Sequence, residues 1–322
     1  MDTAPYQIHV ATWQKGQPRA TSGTELAAPE EGALAWVHIQ SRDPVATREF
    51  LQSQLGFHDL EIEDALTEGE RPHLHEAEDH FFFTVPAIRV EELRIYFAEV
   101  AFFVGKTRVV TVSTEKVPVL DTWCGRLCQR DSRNLKDGVR LAYVLLDAIV
   151  DDYYPAMDML EDHAEELEQD VFGGRNVPIK DLLRLKRRLL EVRRRLTPLR
   201  DILNGLLRHD VTFLSRADRP YYQDVYDHVL RVLEHAELNR DILASILDAN
   251  LTTTSNRLNQ IMRVMTVLAT ILMSVALVAG IYGMNFKHMP ELDWAFGYPA
   301  SIVAMIFIAV FELWLFRKKG WI

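Results

Sequence analysis

The sequence predicts an α+β membrane protein: an N-terminal α/β domain, a long helical stalk and two C-terminal membrane-spanning helices. Three observations carry this reading. The first third alternates short amphipathic runs with β-branched and aromatic ones. The middle reads as helix, and no Gly or Pro falls between Pro220 and Gly280. The end holds two apolar runs, 264–282 and 298–316. At about 1.5 Å per residue each reaches nearly 30 Å, roughly the hydrocarbon thickness of a bilayer. The expected divisions are 1–115 for the α/β domain, 116–258 for the helical region and 259–322 for the membrane part.

In chain order, residues 1–30 are polar and dotted with Gly, Pro and Thr, which reads as a loose lead-in. Residues 33–39 alternate like a half-buried strand. Asp43-Pro44 starts a helix, the Asp as cap and the Pro in the first turn. A second short helix spans 60–66, and strands are expected at 80–85, 93–104 and 108–113. Gly138 to Phe172 reads as one amphipathic helix, ended by Gly173-Gly174. Pro178 begins another, to about His209, and Pro220 a third, with Asp218 as its candidate cap. That third helix runs into the first apolar run and would be roughly 90 Å long.

Composition bounds the function. The 322 residues are 48% hydrophobic and 25% charged, ordinary for a folded chain. Net charge is −10; residues 259–322 carry five basic and three acidic side chains, a balance of +2, which leaves −12 on residues 1–258. An acidic soluble part excludes nucleic acid as the expected partner and suits a protein that handles cations. Arg317, Lys318 and Lys319 follow the second span, where basic residues favour the cytoplasmic side. Both termini are then expected in the cytoplasm, with the 283–297 loop outside. The start shows no charged-then-apolar leader. Trp294, Tyr298 and Trp321 sit where interfacial aromatics belong. Cys124 and Cys128 are expected to be packing residues, since a reducing compartment disfavours a disulfide and two thiols do not complete a tetrahedral metal site.

No catalytic motif stands out, and an enzyme is not expected. Gly105-Lys106-Thr107 is like the end of a phosphate-binding loop, but Val100 occupies the position that needs glycine. His73, His75, Glu76, Glu78 and His80 fit a transition-metal cluster only loosely. Steps of three and four along the first span pass through Asn259, Met262, Thr266, Ala269, Met273, Ala276, Gly280 and Gly283. That face suits a helix-packing seam or a pore lining, and a ring of helices would make it both.

Tyr282-Gly283-Met284-Asn285, then Met289-Pro290-Glu291-Leu292 and the basic tail, resembles the CorA family of magnesium and cobalt transport proteins. The likeness extends through Pro220 to His228, Leu146 to Asp152, Glu61 to Leu66 and Arg71-Pro72. It implies a homopentamer in the cell membrane that conducts Mg²⁺, with Co²⁺ and Ni²⁺ as further possibilities. It implies Gly283, Met284 and Asn285 as the selectivity filter, with Gly283 letting the helix end turn. Asn259, Met262, Thr266, Met273, Ala276 and Gly280 would then line the pore; Ala276 stands where relatives often carry a hydroxyl. Asp64 and Asp224, with Asp147 nearby, would bind regulatory Mg²⁺ between subunits. The alternatives are a zinc transporter of the same superfamily and a two-span sensor that moves no ion.

Overall fold

The computed structural model describes residues 4–14, 17–23, 33–67, 69, 72–91, 94–129, 135–175, 177–208, 213–285, 289, 294 and 296–321, with the side chains of 14, 17–22 and 124–129 left aside. Two compact units form: Met1–Gln169 with Val177–Ser245, and Asp170–Asn176 with Ile246–Ile322.

The first unit is built on a seven-stranded sheet. Its strands are β1 (Tyr6–Gln14), β2 (Gln17–Gly23), β3 (Leu34–Ser41), β4 (His75–Glu76), β5 (His80–Glu91), β6 (Arg94–Gly105) and β7 (Arg108–Ser113). The order is β2-β1-β3-β7-β6-β5-β4, antiparallel except for the parallel pair β3–β7. Two sequence readings are corrected here. The lead-in contains the β1–β2 hairpin, and β1 pairs along its length with β3. Tyr6, Ile8 and Val10 of β1 alternate with polar residues and pack into the core, a period-two signal that the reading of residues 1–30 as a loose lead-in overlooked. Strand β3 is buried on both faces, since β1 and β7 flank it and helices cover both sides.

One face carries Val37, Ile39, Val110, Val112, Phe82 and Phe103, packed against Phe50, Leu51, Leu55, Phe57 and Ile62. Those come from α1 (Pro44–Phe50), the π-helical turn Leu51–Leu55 that extends it, the short connection that holds Phe57, and α2 (Asp59–Leu66). Asp43 caps α1, its carboxylate accepting from the Val45 and Ala46 N–H groups at 3.0 and 3.4 Å. On the opposite face Thr111 accepts from Trp36 Nε1 and pairs with His38 Nδ1, both at 2.9 Å. Burial, first, and the nearby His9 push the His38 imidazole down to about 3, so it is neutral at neutral pH and takes the Thr111 hydroxyl proton.

The helices of that second side are α3 (Pro118–Gln129), α4 (Gly138–Asp151), α5 (Tyr153–Phe172) and α6 (Ile179–Arg208). The single helix expected from Gly138 to Phe172 is two. Pro155 lacks an N–H and its ring crowds the carbonyl four residues back, at Asp151, where α4 ends. Gly105-Lys106-Thr107 forms the β6–β7 turn, and Gly138 starts α4 directly against it, its N–H donating to the Lys106 carbonyl at 2.7 Å. A Cβ on Gly138 would lie 2.1 Å from the Gly105 carbonyl oxygen, so only glycine permits this approach.

Helix α7 runs unbroken through Arg219–Tyr282, 64 residues or about 96 Å. The Asp218 carbonyl receives the first helical bonds, but its carboxylate holds Arg140 and Ser215 rather than capping backbone N–H groups. In the second unit, α8 (Gly297–Lys318) supplies the other apolar helix, with Phe307, Phe311 and Trp314 stacked along it. Helices α7 and α8 are the two long and apolar enough to cross a membrane among the described residues.

Candidate functional site

Helices α4 and α7 are clamped together by their first turns. Tyr222 donates its buried hydroxyl to the Val139 carbonyl at 2.9 Å. Arg140 pairs with Asp218 at 3.0 Å and lies over the Tyr221 ring, which meets Tyr143 edge-on. The contacts advance together along both helices, which therefore run parallel. Further along, Asp147 of α4 meets Asp224 and His228 of α7.

One ligand atom from each of these three lies within 4.8 Å of the other two. His228 Nδ1 is 3.3 Å from Asp147 Oδ1 and 3.8 Å from Asp151 Oδ1, and His228 Nε2 is 3.7 Å from Asp224 Oδ1. Asp147 Oδ1 and His228 Nδ1 are both buried without a hydrogen-bond partner. At 3.3 Å they face each other as an ion pair, and with Asp224 they offer three ligand atoms close enough to share a cation. Burial, and then the Asp151 charge, push the Asp147 carboxyl above the ordinary carboxylate range. Burial, with the Asp147 and Asp224 charges behind it, pushes the Tyr143 phenol up to about 12. The pocket is a place where negative charge accumulates at a cost.

That cost sets a pH dependence. A carboxyl raised in the folded state binds its proton more tightly there than in the unfolded chain. Its stabilisation is full below the unfolded value near 4 and is lost as pH rises through the folded value. Without divalent cation, Asp147→Asn is therefore expected to raise the thermal midpoint at pH 7.5 by roughly 2–4 °C, and by less at pH 5. Millimolar Mg²⁺ should raise the wild-type midpoint at pH 7.5 and leave Asp147→Asn nearly unmoved. An equal Mg²⁺ response in both proteins would remove Asp147 from any cation site.

Asp64, on α2, is not one of the three ligands that meet in this chain; its carboxylate pairs with His73 at 3.2 Å. Among the described residues the neighbouring histidines do not gather as a transition-metal cluster, the reading that the sequence fitted only loosely. Glu61, 3% exposed, takes His75 Nδ1 at 2.7 Å and His80 Nε2 at 3.1 Å, while His80 Nδ1 meets Asp79 at 2.7 Å. The Asp79 carboxyl is held below its usual value by that hydrogen bond from His80. These residues fasten α2 to the strands β4 and β5.

In the second unit, α7 closes by tightening. The Gly283 N–H donates to the Ala279 carbonyl at 2.9 Å, and the Met284 N–H to Ile281, only three residues back, at 3.3 Å. Gly283 is absent from the described glycines with positive φ, so the helix ends without the left-handed turn a glycine there would permit. Asn285 follows, exposed. Asn259, Met262, Thr266, Met273, Ala276 and Gly280 are all exposed along α7 in the single chain. Of the Met289 to Leu292 run, only Met289 is among the described residues.

Residues 31–318 match the model of the family described as "CorA-like Mg2+ transporter protein". The chain belongs to this family. It is 32% identical over 313 residues to the cobalt/magnesium transport protein CorA of Thermotoga maritima, covering 94% of this chain and 88% of that one. The CorA protein of Methanocaldococcus jannaschii is 26% identical over 297 residues, 91% of this chain and 93% of its own. The complete structure of the M. jannaschii CorA magnesium transporter superposes with a TM-score of 0.81 over the whole of both chains, at 22% identity. The fold is that of CorA: a mixed-sheet domain, a long helix and two C-terminal membrane helices.

Within this CorA fold, His228 and Asp151 are the site residues that sequence reasoning passed over. A signal existed. Asp147 and Asp151, like Asp224 and His228, stand four apart and so share one helix face. Only the packing of α4 on α7 turns those two faces toward each other.

Proposed function

We propose that this CorA family member is a homopentameric Mg²⁺ channel of the cell membrane, gated by cytoplasmic Mg²⁺. Both termini lie in the cytoplasm, as the basic Arg317, Lys318 and Lys319 after α8 favour. The observation that carries the reading is α7 itself, one helix with the Asp224–His228 cluster near its start and Gly283-Met284-Asn285 at its end. Two spans cannot enclose an ion path, so several copies must. The exposed face of Asn259, Met262, Thr266, Met273, Ala276 and Gly280 offers the lining.

Magnesium sheds water reluctantly and prefers oxygen. A ring of Asn285 amide oxygens at the outer mouth holds the hydrated ion without trapping it, which conduction requires. Asp64, paired among the described residues of its own chain with His73, turns to Asp224 of a neighbouring copy through bound Mg²⁺, with Asp147 beside them. His228 adds a nitrogen donor that suits Co²⁺ or Ni²⁺ better than Mg²⁺ and accounts for tolerance of those ions. Purified protein in liposomes loaded with a Mg²⁺ dye should show Mg²⁺ entry down its gradient. A correctly inserted protein that gives no Mg²⁺ signal would leave the two-span sensor as the better reading, and Zn²⁺ entry alone would leave the zinc transporter.

A further inference from the structure

Within residues 298–316 a single acidic or basic side chain occurs, Glu312. A carboxyl at membrane depth is costly and persists where a partner or a function holds it. Its described partner is on the other span: Ser274 of α7 donates its hydroxyl to Glu312 Oε1 at 2.6 Å. The neighbouring hydroxyls on α7 behave differently. Thr266 and Thr270 each donate to the carbonyl four residues back, at 2.8 Å, and stay within their helix. Glu312 Oε2 is buried and has no hydrogen-bond partner among the described residues. The link between the spans at this level is thus one hydrogen bond.

Ser274 immediately follows Met273 and precedes Ala276 by two. At about 100° per residue, a bond that fixes Ser274 toward α8 also fixes the direction of Met273 and Ala276. We infer that Glu312 is a positioning residue for transport, setting through Ser274 the rotation of α7 about its own axis and hence which side chains α7 presents to the ion path. The inference rests on α7 being the lining helix. Glu312 touches no ion; it acts through Ser274.

The test uses a full-length protein with Cys124 and Cys128 replaced by Ser and with Met273→Cys, in membranes under mild oxidant. Copies that crosslink through residue 273 place it on the shared axis; their failure to crosslink would overturn the pore reading and this inference with it. Crosslinking should fall in Glu312→Leu and in Ser274→Ala, and stay at the reference level in Glu312→Gln, which keeps a carbonyl oxygen for Ser274. Mg²⁺ uptake by the variants with native Met273 should follow the same pattern. Glu312→Leu and Ser274→Ala should each shift the half-inhibitory internal Mg²⁺ by roughly threefold, the scale of one interhelical hydrogen bond. The double variant should move no further than the larger single change. Additive shifts, unaltered crosslinking in Glu312→Leu, or a Glu312→Gln that behaves like Glu312→Leu would each overturn the inference, the last by showing that charge rather than the hydrogen bond matters.

Discussion

Asn285→Ala is expected to reduce Mg²⁺ uptake by about a hundredfold or more while leaving the assembly intact. The argument begins with how little Asn285 does for the fold. It follows the last turn of α7, is exposed, and its side chain holds no hydrogen bond among the described residues. Removing its amide should therefore cost no stability beyond the few tenths of a kcal/mol usual for an exposed site. At the mouth the same amide is proposed to replace outer-shell water around Mg²⁺. Alanine offers no oxygen, so every copy in a ring loses its donor at once, and each contributes to the barrier. About 2.8 kcal/mol or more summed around the ring corresponds to the stated loss, at about 1.4 kcal/mol per factor of ten. Asn285→Asp tests the other side of the balance: a ring of carboxylates should bind the ion more tightly and release it more slowly. Dye-loaded liposomes, with assembly checked by size-exclusion chromatography, provide the measurement. Uptake by assembled Asn285→Ala within twofold of wild type would withdraw Asn285 from the filter.

Replacing Asp64 and Asp224 together by Ala should free the channel from inhibition by internal Mg²⁺, moving the half-inhibitory concentration at least tenfold with maximal uptake unchanged. The structure explains why the acids would respond to an ion. Asp224 stands beside Asp147, whose carboxyl is already raised by burial and by neighbouring charge, with one histidine as the balancing group. Asp64 is half-buried and, among the described residues, pairs with His73. Carboxylates brought together across a subunit boundary repel unless a cation lies between them, so under the proposed function Mg²⁺ would bind the closed arrangement more tightly and shift the population toward it. Alanine at both positions removes repulsion and bridge alike, and closure loses its dependence on the ion. A tenfold shift needs only about 1.4 kcal/mol of differential binding. An inhibition curve that coincides with wild type would sink the assignment of this pair as the sensor.

Much of the architecture was legible along the chain because local physics is strict there. Lipid supplies no hydrogen bonds, so a spanning helix must be apolar for about 20 residues, and 264–282 and 298–316 could be little else. Asp43 before Pro44 marked a helix start, and the absence of a breaker after Pro220 marked α7 as one rod. Gly283-Met284-Asn285 pointed to the family because it stands between two spans in a chain that resembles the family elsewhere too. Only tertiary structure decided the rest. The β1–β2 hairpin takes its place because β1 pairs along the edge of β3. Asp147 joins Asp224 and His228 because Tyr222, Arg140 and Tyr221 lock two helices in parallel register. His75 and His80 serve Glu61, and Ser274 finds Glu312, across gaps of 14, 19 and 38 residues. The periodicity of a segment states which face it will bury or which solvent it requires. The side chain that will stand opposite that face depends on how separate segments pack, and no single segment carries that information.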